Sequence, residues 1–125
     1  MSGGVSPLRV DPADPGFLDG VFADLIRIAR TPSGQATLAA MRASPRTVTI
    51  RKPDPAPNPP NAWTEPDGAE VAIFYHPADW PCAAYPDTPP SDVVLFGRLL
   101  AACEAGSIED GEARLRAYRA ERGAG

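Results

Sequence analysis

The longest apolar run of the chain is Asp92-Val93-Val94-Leu95-Phe96-Gly97-Arg98-Leu99-Leu100-Ala101-Ala102. Its apolar side chains recur at intervals of three and four residues and cover most of the circumference of a helix, which a surface helix would not tolerate. Ser91 is a suitable cap before this run, and Gly106 is a suitable stop after it. The pattern therefore predicts a helix from Ser91 to about Ala105, and we expect it to be the most buried helix of the fold.

Two further helices are predicted on the N-terminal side of this stretch. Asp14-Pro15 combines a capping carboxylate with a first-turn proline, so a helix is expected from Phe17 to Arg30. Its apolar residues form one broad stripe facing a core: Phe17, Leu18, Val21, Phe22, Leu25, Ile26, Ile28 and Ala29. Thr31-Pro32 then restarts the chain, and a short helix from Gln35 to Arg42 should follow.

Two strands and two proline-rich loops lie between these helices and the central one. Thr47–Arg51 alternates polar and apolar residues, as does Glu70–Tyr75, and both patterns predict half-buried strands. Residues 53–68 contain six prolines and are predicted to be irregular, as are residues 76–90. We expect the strands to pair antiparallel across the first loop. The predicted fold class is α+β, with about four helices, a short two-stranded antiparallel sheet and two proline-rich loops.

The ends of the chain divide it into a flexible segment and one domain. Residues 1–15 are rich in Gly, Ser, Pro and Asp and are expected to be a flexible N-terminal segment. Residues 16–122 are expected to be a single domain, since 125 residues can bury one modest core. Ser107-Ile108-Glu109-Asp110 is a weak capping-box pattern and predicts a last helix that frays near Gly123.

Four stretches occur in an informative order: Thr31-Pro32-Ser33-Gly34-Gln35, Arg46-Thr47-Val48-Thr49-Ile50, Val71-Ala72-Ile73-Phe74-Tyr75-His76-Pro77 and Pro89-Pro90-Ser91-Asp92-Val93-Val94-Leu95-Phe96. This order resembles the secreted-effector zinc metallopeptidase family. In that family a helix, a short strand, a loop with glycine and proline, and a second strand precede the metal-binding helix. The resemblance covers roughly Leu18 to Glu104 and implies a small zincin-like domain.

The resemblance stops at the catalytic motif. In zincins the central helix carries His-Glu-x-x-His, which supplies two zinc ligands and a general base. Here those three places hold Gly97, Arg98 and Ala101, which have no lone pair for a metal and no basic group. Glu109 or Glu112 would be the relic of the family's third, acidic ligand. The resemblance therefore implies an inactive relative, a pseudoenzyme of bacterial effector peptidases, without zinc or another cofactor.

Other metal or nucleophile sites have little support in the sequence. His76 is the single histidine, and no recognised ligand spacing joins it to Cys82, Cys103 or carboxylates such as Asp79. We expect His76 to be a turn or surface residue, although a nucleophilic pair with Cys82 stays open. Cys103 lies on the apolar face of the central helix and is expected to be a small buried hydrophobe.

A recognition surface is predicted in the two proline-rich loops. Trp63, Trp80 and Tyr85 lie there, with His76 beside them, and aromatic residues held by prolines are typical of binding surfaces. Their alternative role is to cover the core as lids. In a zincin the strand nearest the active-site helix offers its edge to a peptide, and residues 71–75 would be that strand.

Gly97 and Arg98 each have two interpretations. A glycine inside a helix either allows another backbone to pack closely or marks a ligand position that has been released. The Arg98 guanidinium is either solvated, or fills the former metal pocket and pairs with a carboxylate.

Charge and hydropathy narrow the possible partners. The net charge is −4 and no basic block occurs, so nucleic acid is not expected. No segment approaches the roughly 20 apolar residues of a membrane span, and no signal peptide is visible. The expected location is cytoplasmic, with secretion without a cleavable signal left open.

The predicted function is protein or peptide binding, as a decoy, regulator or effector-associated protein. The alternatives are a toxin-associated accessory or immunity-like protein, and an enzyme of unrelated chemistry.

Overall fold

The computed structural model describes residues 8–43, 47–55, 57, 59–68, 70–103 and 108–124. Within these residues the chain forms four α-helices and a four-stranded mixed sheet, so the fold class is α+β as predicted. In chain order the elements are β1 (Leu8–Val10), α1 (Pro15–Ala29), α2 (Pro32–Ala43), β2 (Thr47–Arg51), β3 (Trp63–Asp67), β4 (Glu70–Phe74), a 3-10 turn (Pro77–Asp79), α3 (Ser91–Cys103) and α4 (Ile108–Ala124).

The sheet has the strand order β1-β2-β4-β3. β2 pairs with β4, but in parallel, with Val48 opposite Val71 and Ile50 opposite Ile73. The predicted two-stranded antiparallel sheet is therefore wrong. β3 pairs antiparallel with the other side of β4, so the chain passes to the far side of β4 before it returns. Because β4 is paired on both sides, it also has no open edge to offer a peptide.

β3 lies inside the stretch predicted to be irregular. It ends at Asp67, and Gly68 adopts a left-handed φ of 61°, as the two-residue turn into β4 requires. In such a hairpin the pair next to the turn, Asp67 and Glu70, exchanges hydrogen bonds, so the following pair, Pro66 and Val71, does not. The nitrogen of Pro66 therefore faces the open edge of the sheet, where no N–H is needed.

Part of the segment predicted to be flexible belongs to the sheet. Leu8–Val10 forms β1, which runs parallel to β2 in the register Leu8 to Val48. The Asp11 N–H extends this pairing by donating to the Ile50 carbonyl at 2.9 Å. Residues 1–7 lie outside the described part of the chain. The predicted boundary near residue 15 thus misses a strand of three residues.

α1 and α2 meet at a tight corner that requires glycine. α1 begins as predicted: Asp14 Oδ1 accepts from the Phe17 N–H at 2.7 Å, and Pro15 occupies the first turn. The Thr31 hydroxyl accepts from the Gly34 N–H at 3.0 Å and donates to the Ile28 carbonyl at 2.9 Å. A Cβ on Gly34 would lie 1.8 Å from that carbonyl oxygen, so no other residue fits there.

α3 is the most buried helix among the described residues, as predicted. Seven of its 13 residues are buried, compared with four of the 15 in α1. Phe96 and Leu99 are fully buried in a single core cluster that takes side chains from the sheet and the other helices. The Phe96 ring stacks on Tyr118 of α4, with centroids 4.3 Å apart. α3 therefore holds the centre of the fold.

Some sequence predictions fall outside the described residues. These are the helix end at Gly106, the cap at Ser107, and the side chain of Glu109. No helix in the described part of the chain combines the length and the apolar character that crossing a membrane would need.

Candidate functional site

The three residues at the positions that the resemblance would assign to a zinc motif, Gly97, Arg98 and Ala101, lie on α3 in different environments. A Cβ on Gly97 would meet no atom within 4 Å, so this glycine is not explained by close packing of another backbone. Arg98 is half-buried, and its Nη1 donates to the Thr64 hydroxyl of β3 over a long 3.5 Å. Ala101 is exposed. Gly97 and Arg98 thus face space beside α3, whereas Ala101 faces solvent.

The residues at these positions do not fit a zinc ion. Neither Gly97 nor Ala101 carries a donor atom, and the Arg98 guanidinium stays protonated. The His76 Nδ1 already accepts from the Ala78 N–H at 3.3 Å, where it caps the 3-10 turn. Within the described ranges, no three His, Cys, Asp or Glu side chains come together as a metal would require. These positions of α3 therefore do not supply a set of metal ligands.

A pocket opens where Gly97 and Arg98 face away from the core. This α3–α4 pocket has a volume of about 280 Å³. It is lined by Asn61, Ala62, Trp80, Pro89, Val93, Val94, Gly97, Arg98, Leu115 and Arg119. Its walls are largely apolar, and its charges are the two guanidinium groups. The indole Nε1 of Trp80 is buried and has no acceptor among the described residues.

The four predicted recognition residues each have their own contacts in the described structure. Trp80 lines the α3–α4 pocket and packs against the core. Trp63 stacks on Phe74, with centroids 4.9 Å apart, and its indole donates to Glu65. His76 meets the ring of Phe17 edge-on at 5.7 Å. Tyr85 is 51% exposed in the second proline-rich loop.

An apolar groove between α1 and α2 was not anticipated. This α1–α2 groove has a volume of about 310 Å³. It is lined by Leu8, Phe22, Leu25, Ile26, Ala29, Leu38, Met41 and Arg42. Phe22 is 50% and Ile26 is 53% exposed, although both were predicted to face the core. Large apolar side chains exposed next to each other are typical of interaction surfaces.

Two buried carboxylates lie between α1, α3 and α4. Asp24 accepts hydrogen bonds from the Tyr75 hydroxyl at 3.0 Å and the Ser91 hydroxyl at 2.9 Å. Asp92 is fully buried and accepts from the Tyr118 hydroxyl at 2.6 Å and from Arg122. These bonds join helices that are far apart in sequence. The arrangement therefore stabilises the helix packing.

The two carboxylates differ in pKa. Burial raises the pKa of Asp24, and hydrogen bonds from Ser91 and Tyr75 offset this only in part. Burial would also raise the pKa of Asp92, but the hydrogen bonds from Arg122 and Tyr118 outweigh it and hold that pKa below its ordinary value. The nearby Asp92 charge is one further cause of the raised pKa of Asp24.

The two cysteines are free thiols and both are half-buried. Burial raises the pKa of Cys103, which packs against the core as predicted and stays protonated at neutral pH. The Cys82 N–H donates to the Thr88 hydroxyl at 2.7 Å. No sequence pattern predicts this local turn. Within the described residues no hydrogen bond joins Cys82 to His76, so a nucleophilic pair has no observed support.

The chain matches no protein-family model, no curated protein and no solved structure. A local signal for the α1–α2 groove was present in the sequence. The apolar residues of α1 form two adjacent stripes along the helix. The core buries the first stripe, which includes Phe17, Val21 and Ile28. The second stripe, with Phe22 and Ile26, marks the groove.

Proposed function

We propose that this protein is a catalytically inactive, peptidase-like protein that acts as a protein-binding module, in the role of decoy, regulator or effector-associated protein. The resemblance of its segment order to the effector metallopeptidases supports the relationship. The chemistry at Gly97, Arg98 and Ala101 supports the loss of activity, because none of these side chains can bind zinc or accept a proton. Protein binding is a function that needs neither a metal nor a catalytic base.

The observation that carries this proposal is the exposure of Phe22 and Ile26 in the α1–α2 groove. The two residues lie one helical turn apart, and Leu25, Leu38 and Met41 extend the apolar surface between them and α2. Burying the exposed halves of two large apolar side chains contributes about 2 kcal/mol to association. A partner that covers the whole groove would gain more than this.

The groove best fits an amphipathic helix of a partner protein. Apolar residues spaced by three and four on such a helix would pack against Phe22 and Ile26, which have the same spacing. Arg42 is the single charged residue among those that line the groove. The partner helix should therefore carry an acidic residue at the position that faces Arg42, which would fix its register.

The experiment compares two sets of variants in a cross-linked pull-down from the native host. One variant carries Phe22→Glu with Ile26→Glu, and the other carries Trp80→Ala with Tyr85→Ala. Tyr85 is a matched control because it is as exposed as Phe22 but lies in the second loop. We expect the groove variant to lose a partner that the loop variant keeps. The opposite result would move the binding surface to the loops, and an unchanged partner set would exclude both surfaces.

A captured partner is then tested as a purified protein. Phe22→Ala with Ile26→Ala should weaken its binding by more than about tenfold, whereas Tyr85→Ala should leave the Kd within about twofold. Arg42→Glu should also weaken binding, and reversal of one acidic residue on the partner helix should restore it. Failure of every such reversal would show that the partner is not seated against Arg42. The partner's own nature would separate a decoy or regulator from a toxin-associated immunity-like protein.

A further inference from the structure

The α3–α4 pocket holds two arginines from different helices. Arg98 comes from α3 and Arg119 from α4. In the described part of the chain, neither guanidinium forms an ion pair, whereas Arg122, one turn after Arg119, is fully engaged by Asp92. A guanidinium presents a planar fork of donors that matches a carboxylate. Two such groups without acidic partners therefore leave a place for an anionic ligand.

Arg98 is partly fixed before any ligand arrives. Its side chain is half-buried, and its Nη1 contacts Thr64 of β3 at 3.5 Å. One donor is used by this contact, so the remaining donors of the fork stay available. Arg119 is exposed at the opposite helix. The two charges thus reach the pocket from its two helical walls.

The rest of the pocket is suited to an apolar group. Trp80, Val94 and Leu115 line it, and a Cβ on Gly97 would meet nothing within 4 Å, so the α3 wall is open. The volume of about 280 Å³ is near the lower limit for ligand pockets. It accommodates one residue-sized group rather than a long chain. The pocket therefore combines a small apolar space with two positive charges.

From these features we propose that the α3–α4 pocket binds a carboxylate that carries a small apolar group, with Arg98 and Arg119 holding the carboxylate. The C-terminal residue of a peptide and a free N-acylated amino acid share this chemistry. A guanidinium fork also matches phosphate, so inorganic phosphate is the competing ligand in the test, whereas the apolar walls favour a carboxylate that carries an apolar group. This site shares no lining residue with the α1–α2 groove and does not depend on it.

The probes are N-acetyl-leucine, its amide and inorganic phosphate, titrated into isotopically labelled protein and followed by NMR chemical shifts. The acid should bind saturably in the millimolar range or tighter, and the amide at least about tenfold more weakly, because a charged hydrogen bond contributes more than a neutral one. A peptide ending in free leucine is then compared with the acid. Tighter binding of the peptide identifies a chain terminus as the ligand, and equal binding identifies the free acid.

Variants locate the site. Arg98→Met, Arg119→Met and Gly97→Leu should each weaken binding of the acid at least about tenfold, through lost charge or a filled pocket. The controls are Arg116→Met, an exposed arginine of α4 outside the pocket, and Gly111→Leu, a helical glycine that is equally open. Equal weakening by these controls would overturn the proposal. So would equal binding of the amide, tighter binding of phosphate, or no saturable binding of the acid.

Discussion

Arg122, in the last turns of α4, contacts both carboxylate oxygens of Asp92 at the start of α3, through Nε at 2.5 Å and Nη2 at 2.9 Å. The Asp92 side chain is fully buried, whereas that of Arg122 is partly exposed. Tyr118 adds a third hydrogen bond to the same carboxylate at 2.6 Å. The carboxylate therefore fixes α4 against α3, with Arg122 as its main charged partner and Arg27 Nη1 farther away at 3.9 Å.

Arg122→Met should destabilise the protein by about 3 kcal/mol, because it leaves the buried charge of Asp92 without its main partner. Arg119→Met, one turn earlier, should change the free energy of unfolding by less than about 0.5 kcal/mol, since Arg119 is exposed and has no ion pair among the described residues. Urea denaturation at neutral pH measures both. Equal losses for the two variants would mean that the ion pair contributes little.

The two buried carboxylates should influence acid stability in opposite directions. The lowered pKa of Asp92 stabilises the fold above its ordinary value of 3.8, and this contribution is lost as the pH falls through the folded pKa. The raised pKa of Asp24 disfavours the fold above that pKa and is relieved as the pH falls through it. The stability difference between wild type and Asp92→Asn should therefore shrink below pH 3.8. Asp24→Asn should lose least stability near neutral pH. Denaturation curves measured from neutral pH to below pH 3.8 test both predicted changes in stability.

Phe96→Ala and Leu99→Ala should each cost roughly 2–5 kcal/mol, because both side chains are fully buried in the core cluster. That is a large part of the stability of a domain of this size. Val94→Ala on the same helix, only half-buried, should cost less and serves as the control. Losses below about 1 kcal/mol at both core positions would contradict the packing of α3.

Two helical glycines should respond in opposite ways to alanine. Gly34→Ala should cost about 3 kcal/mol, since its Cβ would collide with the Ile28 carbonyl oxygen. Gly97→Ala should instead stabilise the protein by roughly 0.5–1 kcal/mol, because the space is open and alanine favours a helix. Thermal and chemical denaturation report both. A destabilised Gly97→Ala variant would show that the pocket closes over this position.

The purified protein should carry no stoichiometric zinc and hydrolyse no peptide. The reason is the chemistry of Gly97, Arg98 and Ala101, together with the engagement of the His76 Nδ1 in a cap. Elemental analysis of protein purified without chelator is the measurement. About one zinc per chain would refute this prediction, and the Cys82→Ala and His76→Ala variants would then identify the ligands.

The helices could be predicted because their signals are local. Asp14-Pro15 caps α1 where expected, and the apolar run after Ser91 forms the buried helix α3. The sheet could not be predicted in the same way. The turn dipeptide Asp67-Gly68 was a usable hairpin signal, but the density of prolines around it favoured an irregular loop. If β3 is not predicted, the sequence does not indicate whether β2 and β4 run parallel or antiparallel.

The candidate sites depended on contacts between distant residues. In the sequence, Asp92 is simply the residue after the predicted cap Ser91. Nothing near it in sequence points to Arg122, 30 residues later. The α3–α4 pocket likewise takes Trp80, Arg98 and Arg119 from three separate segments. Tertiary packing decides such sites, and residue spacing within one element cannot reveal them. The wide apolar face of α1 is the exception, because it is visible in the sequence itself.

Pro66 also affects whether copies of this chain can pair through the edge strand β3. Its nitrogen faces the outer edge of β3, so a strand from another molecule would find the row of donors interrupted there. An open sheet edge is a template for pairing with strands of other molecules, and repeated pairing of this kind produces filaments. At this edge the protein resists growth of that kind. Association through the α1–α2 groove would then stop at one partner per chain, which gives complexes of defined stoichiometry even at high concentration.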